Sequence, residues 1–324
     1  MNKKFSLIIP IYNSEKYIEK CLLSCVNQDI RLSEYEIIVI NDGSTDGSLT
    51  ILENLAKDFH NIIVIDSLNK GASNARNKGL NLAKGKYVWF IDSDDWIESN
   101  CLKKIYDVLE HEQLDAVQIA FYLVTNGVIN ICEKNFRIAT PVLTPKDYIS
   151  PNVFYGAAWG TIFKRDISEK YSIRFDTTLQ IAEDQLFLIS IFNYAKRLKR
   201  ENIPRYYYLN NPQSIIHNAS EEQLFQTIIK ITSFEFREIY KKYCDYLIYL
   251  HLLLLMNLKK INSKKIHHLM KTISLEGIFN YNIFRRRDKV FLICYSYFGL
   301  AFLRIYSYLR IIYKLIKAIF NKFF

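Results

Sequence analysis

Three carboxylates fall within four positions in Asp92-Ser93-Asp94-Asp95, directly after the apolar run Tyr87-Val88-Trp89-Phe90-Ile91. Carboxylates this close repel one another, and burying even one without a partner is expensive. A multivalent cation relieves both costs. Hard oxygen donors suit Mg²⁺ or Mn²⁺, ions that usually complete their shell with substrate phosphates. A strand-forming run that ends in such a cluster places it at the carboxyl end of a strand, where α/β sheets bind ligands. The chemistry indicated is a metal-bridged phosphate compound such as a nucleotide. An isolated Asp-Ser-Asp-Asp reads equally well as a solvated turn, so its meaning depends on the rest of the chain.

Three other segments carry similar groups. Pro10-Ile11-Tyr12-Asn13 leaves an apolar run and enters a helical pattern, a position where backbone N–H groups can hold a phosphate or base. In Asn41-Asp42-Gly43-Ser44-Thr45-Asp46, Asp42 can accept from a base or ribose, although Asp-Gly alone is a common turn pair. Arg76, in Gly71-Ala72-Ser73-Asn74-Ala75-Arg76-Asn77-Lys78-Gly79, can reach a diphosphate or a base; any single arginine is by default a surface residue. The Gly-x-Gly-x-x-Gly of dinucleotide sites and the Gly-x-x-x-x-Gly-Lys of P-loops are both absent, which argues against a dehydrogenase and a P-loop enzyme.

The elements that must position these residues alternate. Strands are expected at Phe5 to Pro10, Tyr35 to Ile40, Ile62 to Ile65 and Tyr87 to Ile91. Helices are expected from about Glu15 to Gln28, after a cap at Asp46, and from Ala72 to Ala83 with Gly85 as the stop. This alternation implies an α/β fold with a mostly parallel sheet flanked by helices. All four loops then converge on one sheet edge. Leu102 to Leu109 reads as a helix, and Ala116 to Val124 with Val128 to Cys132 as a hairpin about Asn126-Gly127. Glu183 to Tyr194 reads as a helix and Arg205 to Leu209 as a short aromatic strand.

Charge divides the chain. Its 324 residues carry a net charge of +10. From Lys259 onward, 14 Lys and Arg face only Glu276 and Asp288, a balance of +12, which leaves the remainder at −2. Two domains are expected, 1–218 and a basic, aromatic-rich helical region over 219–324. Val290 to Leu303 is an apolar run shorter than the ~20 residues that span a bilayer. Beyond it, Arg310, Lys314 and Lys317 share one helical face, an interfacial pattern suited to an anionic membrane surface. A helix packed on the first domain with a solvated basic stripe is the competing reading. No nucleic-acid module is present, so no nucleic-acid partner is expected. The six cysteines show no zinc spacing, which favours a reducing compartment, and the short run Phe5 to Ile11 is a strand, not a signal peptide.

Taken in order and spacing, Pro10-x-Tyr12-Asn13, Asn41-Asp42-Gly43-Ser44-Thr45-Asp46, Gly71-x-x-x-Ala75-Arg76-Asn77-x-Gly79 and Asp92-Ser93-Asp94-Asp95 resemble the family 2 glycosyltransferases of the GT-A fold. The resemblance is close from Phe5 to Trp96 and looser to about His217. It implies that Pro10, Ile11, Tyr12, Asn13 and Asp42 hold the nucleoside, most often uridine, and that Arg76 and Ser93 help seat the nucleotide. It implies Asp94 as the main Mn²⁺ or Mg²⁺ ligand, Asp92 on ribose or metal, and Asp95 as support. Ile181-Ala182-Glu183-Asp184-Gln185 resembles the family's acceptor-facing segment, with Asp184 as general base and Glu183 as the alternative.

Two segments depart from the family pattern. Thr161 stands where many relatives carry Lys, which leaves Lys164, Arg165 or another arrangement to hold the diphosphate. The segment Tyr206 to His217 resembles the closing lid without its Arg, and His217 is the remaining candidate for the pyrophosphate. A Gln-x-x-Arg-Trp polymerase signature is absent. The expected activity is inverting transfer of a sugar from a UDP-sugar to a glycan or lipid-linked glycan hydroxyl in surface polysaccharide synthesis. It would take place at the inner face of the cell membrane. A polyprenyl-phosphate glycosyltransferase and a non-catalytic scaffold are the alternatives.

Overall fold

The computed structural model describes residues 3–131, 139–149, 154–210, 219–236 and 238–257. The chain divides into two compact units after Ala219. Residues 259–324, which hold the basic helical pattern, and His217 lie outside the described residues.

In the first unit, β1 (Phe5–Ile11), α1 (Ile18–Val26), β2 (Tyr35–Asp42), α2 (Ser48–Asp58), β3 (Ile62–Ser67), α3 (Ala72–Leu82) and β4 (Tyr87–Phe90) alternate. Next come β5 (Trp96–Ile97), α4 (Leu102–His111), β6 (Ala116–Thr125) and β7 (Val128–Ile131). The series closes with β8 (Thr161–Lys164), α5 (Arg165–Lys170), α6 (Glu183–Tyr194) and β9 (Leu198–Leu209). One sheet runs β3-β2-β1-β4-β8-β6-β9-β5, with β7 paired to β6.

β1, β2, β3 and β4 are mutually parallel, as the alternation predicts. The second half of the unit adds antiparallel ladders between β4 and β8, β6 and β8, β6 and β7, and β5 and β9. β1 and β2 are buried along their whole length, as expected of strands covered on both faces. Each fully buried Ile, Leu or Val contributes roughly 1.5–3 kcal/mol.

Helix α3 lies close against the sheet. A Cβ on Gly79 would sit 2.3 Å from Ile8 Cγ2, so only glycine permits this approach. The cap of α2 is Gly47, not Asp46. Asp46 Oδ1 instead accepts the Ser48 amide from one residue further out.

In the second unit, α7 (Glu221–Thr232) begins at a reciprocal capping box. The Ser220 side chain accepts from the Gln223 amide, and the Gln223 side chain accepts from the Ser220 amide. It packs on α8 (Lys241–Asn257) through apolar residues such as Leu224, Ile228, Leu247 and Ile248. No helix among the described residues is long and apolar enough to cross a membrane.

Candidate active site

The β1–β4 ladder runs only from Phe5↔Tyr87 to Ile8↔Phe90. Beyond Ile8 the two strands part, and β1 lies between β2 and β4 at the point where strand order reverses. That is where open α/β sheets bind ligands. Pro10 belongs there. The Ile8 carbonyl accepts the Ile91 amide on the β4 side. Pro10, two residues on, faces the same side beyond the ladder's end, so its missing N–H costs no sheet bond.

A cleft of about 570 Å³ opens at this point. Pro10, Ile11, Tyr12, Asn13, Asp42, Arg76, Asp92, Ser93 and Asp94 all line it. The structure thus gathers these nine nucleotide- and metal-side candidates in one cleft; Lys164 and Arg165 do not line it, and His217 is not described.

The loops are tied to one another. Asn13, at φ +49°, donates its amide to Ser44 Oγ at 3.0 Å, and its Oδ1 accepts the Thr45 amide at 2.8 Å. Ser14 Oγ meets Ser93 Oγ at 2.7 Å, joining the β1 loop to the aspartate loop. Asp42 is buried. Its two oxygens accept the Lys70 and Gly71 amides at 2.8 and 2.7 Å, so it orders the entrance to α3 while walling the cleft. Gly43 continues from it at φ +69°, a left-handed conformation that glycine adopts without penalty. Tyr12 is 52% exposed, leaving its ring available to a base.

The three aspartates differ in their surroundings. Asp95 is buried, accepting the Tyr206 hydroxyl at 2.7 Å and the Leu209 amide at 2.7 Å. Burial, reinforced by Asp92 and Asp94, holds its pKa well above the carboxylate range. Asp95 is therefore a strut between the aspartate loop and the end of β9. Asp92 and Asp94 face the cleft. Arg76 engages Oδ1 of Asp92, whose side chain keeps 28% of its surface exposed.

No group of three or more metal-ligating side chains occurs among the described residues. A Mg²⁺ or Mn²⁺ ion bound through one or two carboxylates plus substrate phosphates needs no such group. The hard oxygen donors of Asp94 and Asp92 fit that demand.

Arg76 also reaches the far side of the site. Its Nη2 donates to Asp92 Oδ1 at 3.0 Å, and its Nη1 donates to Glu183 Oε1 at 3.3 Å. The same Nη1 meets Asp184 Oδ1 as an ion pair at 3.3 Å. Burial alone would lower the arginine's pKa, but the charges of Asp184, Asp92 and Glu183 outweigh it and hold Arg76 firmly protonated. Asp184 Oδ2 accepts the Ala158 amide at 3.1 Å. Burial and the neighbouring Asp184 push Glu183 up to about 7. Burial likewise raises Asp184, against the opposing pull of Arg76. Glu183 and Asp184, largely desolvated side by side, cannot both ionise cheaply, so the pair retains a proton near neutrality.

The expected substitutes for the missing lysine are committed elsewhere. Thr161 is fully buried and accepts from Gln118 Nε2. Lys164 pairs with Asp115 at 2.7 Å, and Arg165 Nε donates to the Gly85 carbonyl. None of the three lines the cleft.

The sequence reading passed over Ser14, and it named Tyr206 only within the lid-like segment and the aromatic strand. Tyr206 and Tyr208 stack on Trp159 with centroids 4.6 and 5.2 Å apart. The alternation within Tyr206-Tyr207-Tyr208 was the available signal, because residues two apart in a strand share a face.

Comparison with known proteins agrees with this geometry. The profile of "Glycosyl transferase family 2" matches residues 6–172. The uncharacterized glycosyltransferase EpsJ of Bacillus subtilis strain 168 is 35% identical over 215 residues, covering 65% of this chain and 62% of EpsJ. A poly(ribitol-phosphate) beta-glucosyltransferase of Bacillus spizizenii is 35% identical over 208 residues, 64% of this chain and 32% of that protein. The chain therefore spans less than two thirds of the length of either relative. The crystal structure of S. aureus TarS 1-349 in complex with UDP-GlcNAc matches at a TM-score of 0.63 and 26% identity, covering 85% of this chain and 78% of that one. More than half of the sequence lies within the profile, and the cleft opens where that fold switches strand order: the chain belongs to glycosyl transferase family 2.

Proposed function

We propose that this protein transfers a hexose or N-acetylhexosamine from a UDP-sugar to a hydroxyl of a glycan or lipid-linked glycan, with inversion, in surface polysaccharide synthesis. The observation that carries this reading is the bridge through Arg76. It joins Asp92 in the donor cleft to the carboxylate pair Glu183 and Asp184 across a single guanidinium. The UDP-GlcNAc complex of TarS and the poly(ribitol-phosphate) relative support the donor and acceptor classes.

In the proposed step, an acceptor hydroxyl oxygen attacks the anomeric carbon from the face opposite the diphosphate. The new C–O bond forms as the bond to the diphosphate oxygen breaks. The electron pair leaves with UDP, and the hydroxyl proton passes to Asp184. Burial raises the basicity of that carboxylate, while the Ala158 amide donates to Oδ2 and Arg76 lies at ion-pair distance from Oδ1. Asp94 and Asp92 would hold a divalent ion, which when bound neutralises charge on the departing diphosphate.

We place residues 1–218 as the catalytic domain. The basic helical region from 219 would attach it peripherally to the inner face of the cell membrane, a reading that rests on the charge pattern of the sequence.

The test is UDP release from a panel of UDP-sugars, with and without Mn²⁺, comparing the protein with Asp94→Ala. Metal-dependent release from one sugar, lost in the variant, is expected. Equal release by Asp94→Ala would overturn the metal assignment, and no release from any UDP-sugar with acceptor glycolipid supplied would overturn the donor.

A further inference from the structure

We infer that the dipeptide Arg76-Asn77 docks and aims the base-bearing segment, and that Arg76 serves as a positioning residue for Asp184 as much as a wall of the nucleotide cleft. The inference rests on the transferase reading above.

Both side chains reach about a hundred residues along the chain to the same segment. Asn77 clamps the backbone of Phe175 from both sides. Its Nδ2 donates to the Phe175 carbonyl at 2.9 Å, and its Oδ1 accepts the Phe175 amide at 2.8 Å. The Phe175 ring stacks flat on Phe187, with centroids 3.9 Å apart and planes at 8°. Phe187 lies in α6, the helix that opens with Glu183 and Asp184. Arg76 completes the attachment from the other end. Its guanidinium carbon lies 5.4 Å from the Phe175 ring, and its Nη1 holds both carboxylates.

The start of α6 requires this support. Ala182, at φ +63°, occupies the left-handed region that alanine disfavours. Glu183 and Asp184 are packed side by side at the first turn, where the Arg76 cation offsets their repulsion. Neither lines the donor cleft itself; Arg76 stands between them and it. The Arg76 Nε is buried and has no partner among the described residues. A well-placed hydroxyl could accept from it.

A residue that only bound the nucleotide would have no reason to grip two carboxylates on another helix. A residue that positions the base must grip them and must itself be anchored. Helix α3 supplies that anchor, seated on β1 through Gly79.

The experiment compares the full chain with Arg76→Ala, Arg76→Lys and Asn77→Ala in steady-state transfer, with UDP binding measured separately by calorimetry. The expected result for Arg76→Ala is a kcat reduced on the order of 10²-fold, a far larger change than in donor KM or UDP affinity, since a base displaced by about 1 Å costs that much. Free guanidinium ion at sub-denaturing concentration restores part of that kcat. Asn77→Ala shows the same split with a loss of about tenfold, and it carries the test if Arg76→Ala does not fold. A donor KM or UDP affinity weakened about tenfold with kcat preserved would overturn the inference, leaving Arg76 a nucleotide ligand. A folded Arg76→Ala with unchanged kcat would overturn it too. Full activity in Asp184→Asn would overturn the assignment of the base, whereas no transfer by the unsubstituted protein would overturn the transferase reading beneath it.

Discussion

Tyr206→Phe deletes one oxygen from the middle of the site and leaves its aromatic packing in place. The side chain is fully buried, and its ring remains stacked on Trp159. The lost hydroxyl has two partners. It donates to Asp95 Oδ2 at 2.7 Å and accepts the Asp92 amide at 3.0 Å. Asp95 is 1% exposed, so water does not replace the donor. A hydrogen bond to a largely neutral carboxyl contributes about 0.5–1.5 kcal/mol, and leaving the Asp95 oxygen and the Asp92 amide without this partner adds about 1–3 kcal/mol. A destabilisation of about 3 kcal/mol is expected, a large share of the stability of a typical domain.

Urea unfolding followed by tryptophan fluorescence suits the measurement, because Trp89 and Trp159 both pack against Tyr206. The midpoint should fall with the slope unchanged, as a loss of native-state interactions requires. Transfer activity should fall as well, since the Asp92 backbone loses its tether. A stability change below about 0.5 kcal/mol, within the range of an ordinary surface substitution, would refute the assignment of Asp95 and Tyr206 as a strut beneath the aspartate loop.

The carboxylate pair predicts opposite pH trends for stability and rate. Glu183 is pushed from an ordinary 4.5 up to about 7. Its contribution to stability is therefore fully present below pH 4.5 and is lost as pH rises through about 7. Deprotonation over the same interval places a second negative charge beside Asp184 and strengthens it as a base. The transfer rate should climb through pH about 7, and Glu183→Gln should remove that limb while leaving the donor KM unchanged; a limb that survives the substitution refutes the assignment. For the proposed membrane attachment, reversing Arg310, Lys314 and Lys317 to Glu in the full chain should abolish sedimentation with anionic vesicles and spare UDP release. Undiminished vesicle binding would refute it.

Local order was legible along the chain because its causes are local. Phe5–Ile11 and Tyr35–Asp42 form strands where continuous apolar runs demand burial on both faces. Asn126-Gly127 turns the β6–β7 hairpin as such a pair does. The convergence of Pro10, Asp42, Arg76 and Asp92 on one cleft followed from parallel strands whose loops share an edge. By contrast, β5 and β8 are two and four residues long and exist because longer strands pair with them, so no periodicity marked them. Thr161 was read as a departure at the diphosphate, but it faces the core because its register on β6 opposes Gln118.

The sequence by itself determined which residues could bind a nucleotide diphosphate and roughly where each strand begins, since residue type and short-range pattern carry that information. Only the tertiary structure decided that Arg76 pairs with the carboxylates 107 and 108 positions away, that Asp42 spends both oxygens on loop amides, and that Asp95 spends its own on the Tyr206 hydroxyl and the Leu209 amide. The physical reason is common to all three. A charged group's role is set by what remains to solvate it once the elements have packed, and those neighbours come from distant parts of the chain.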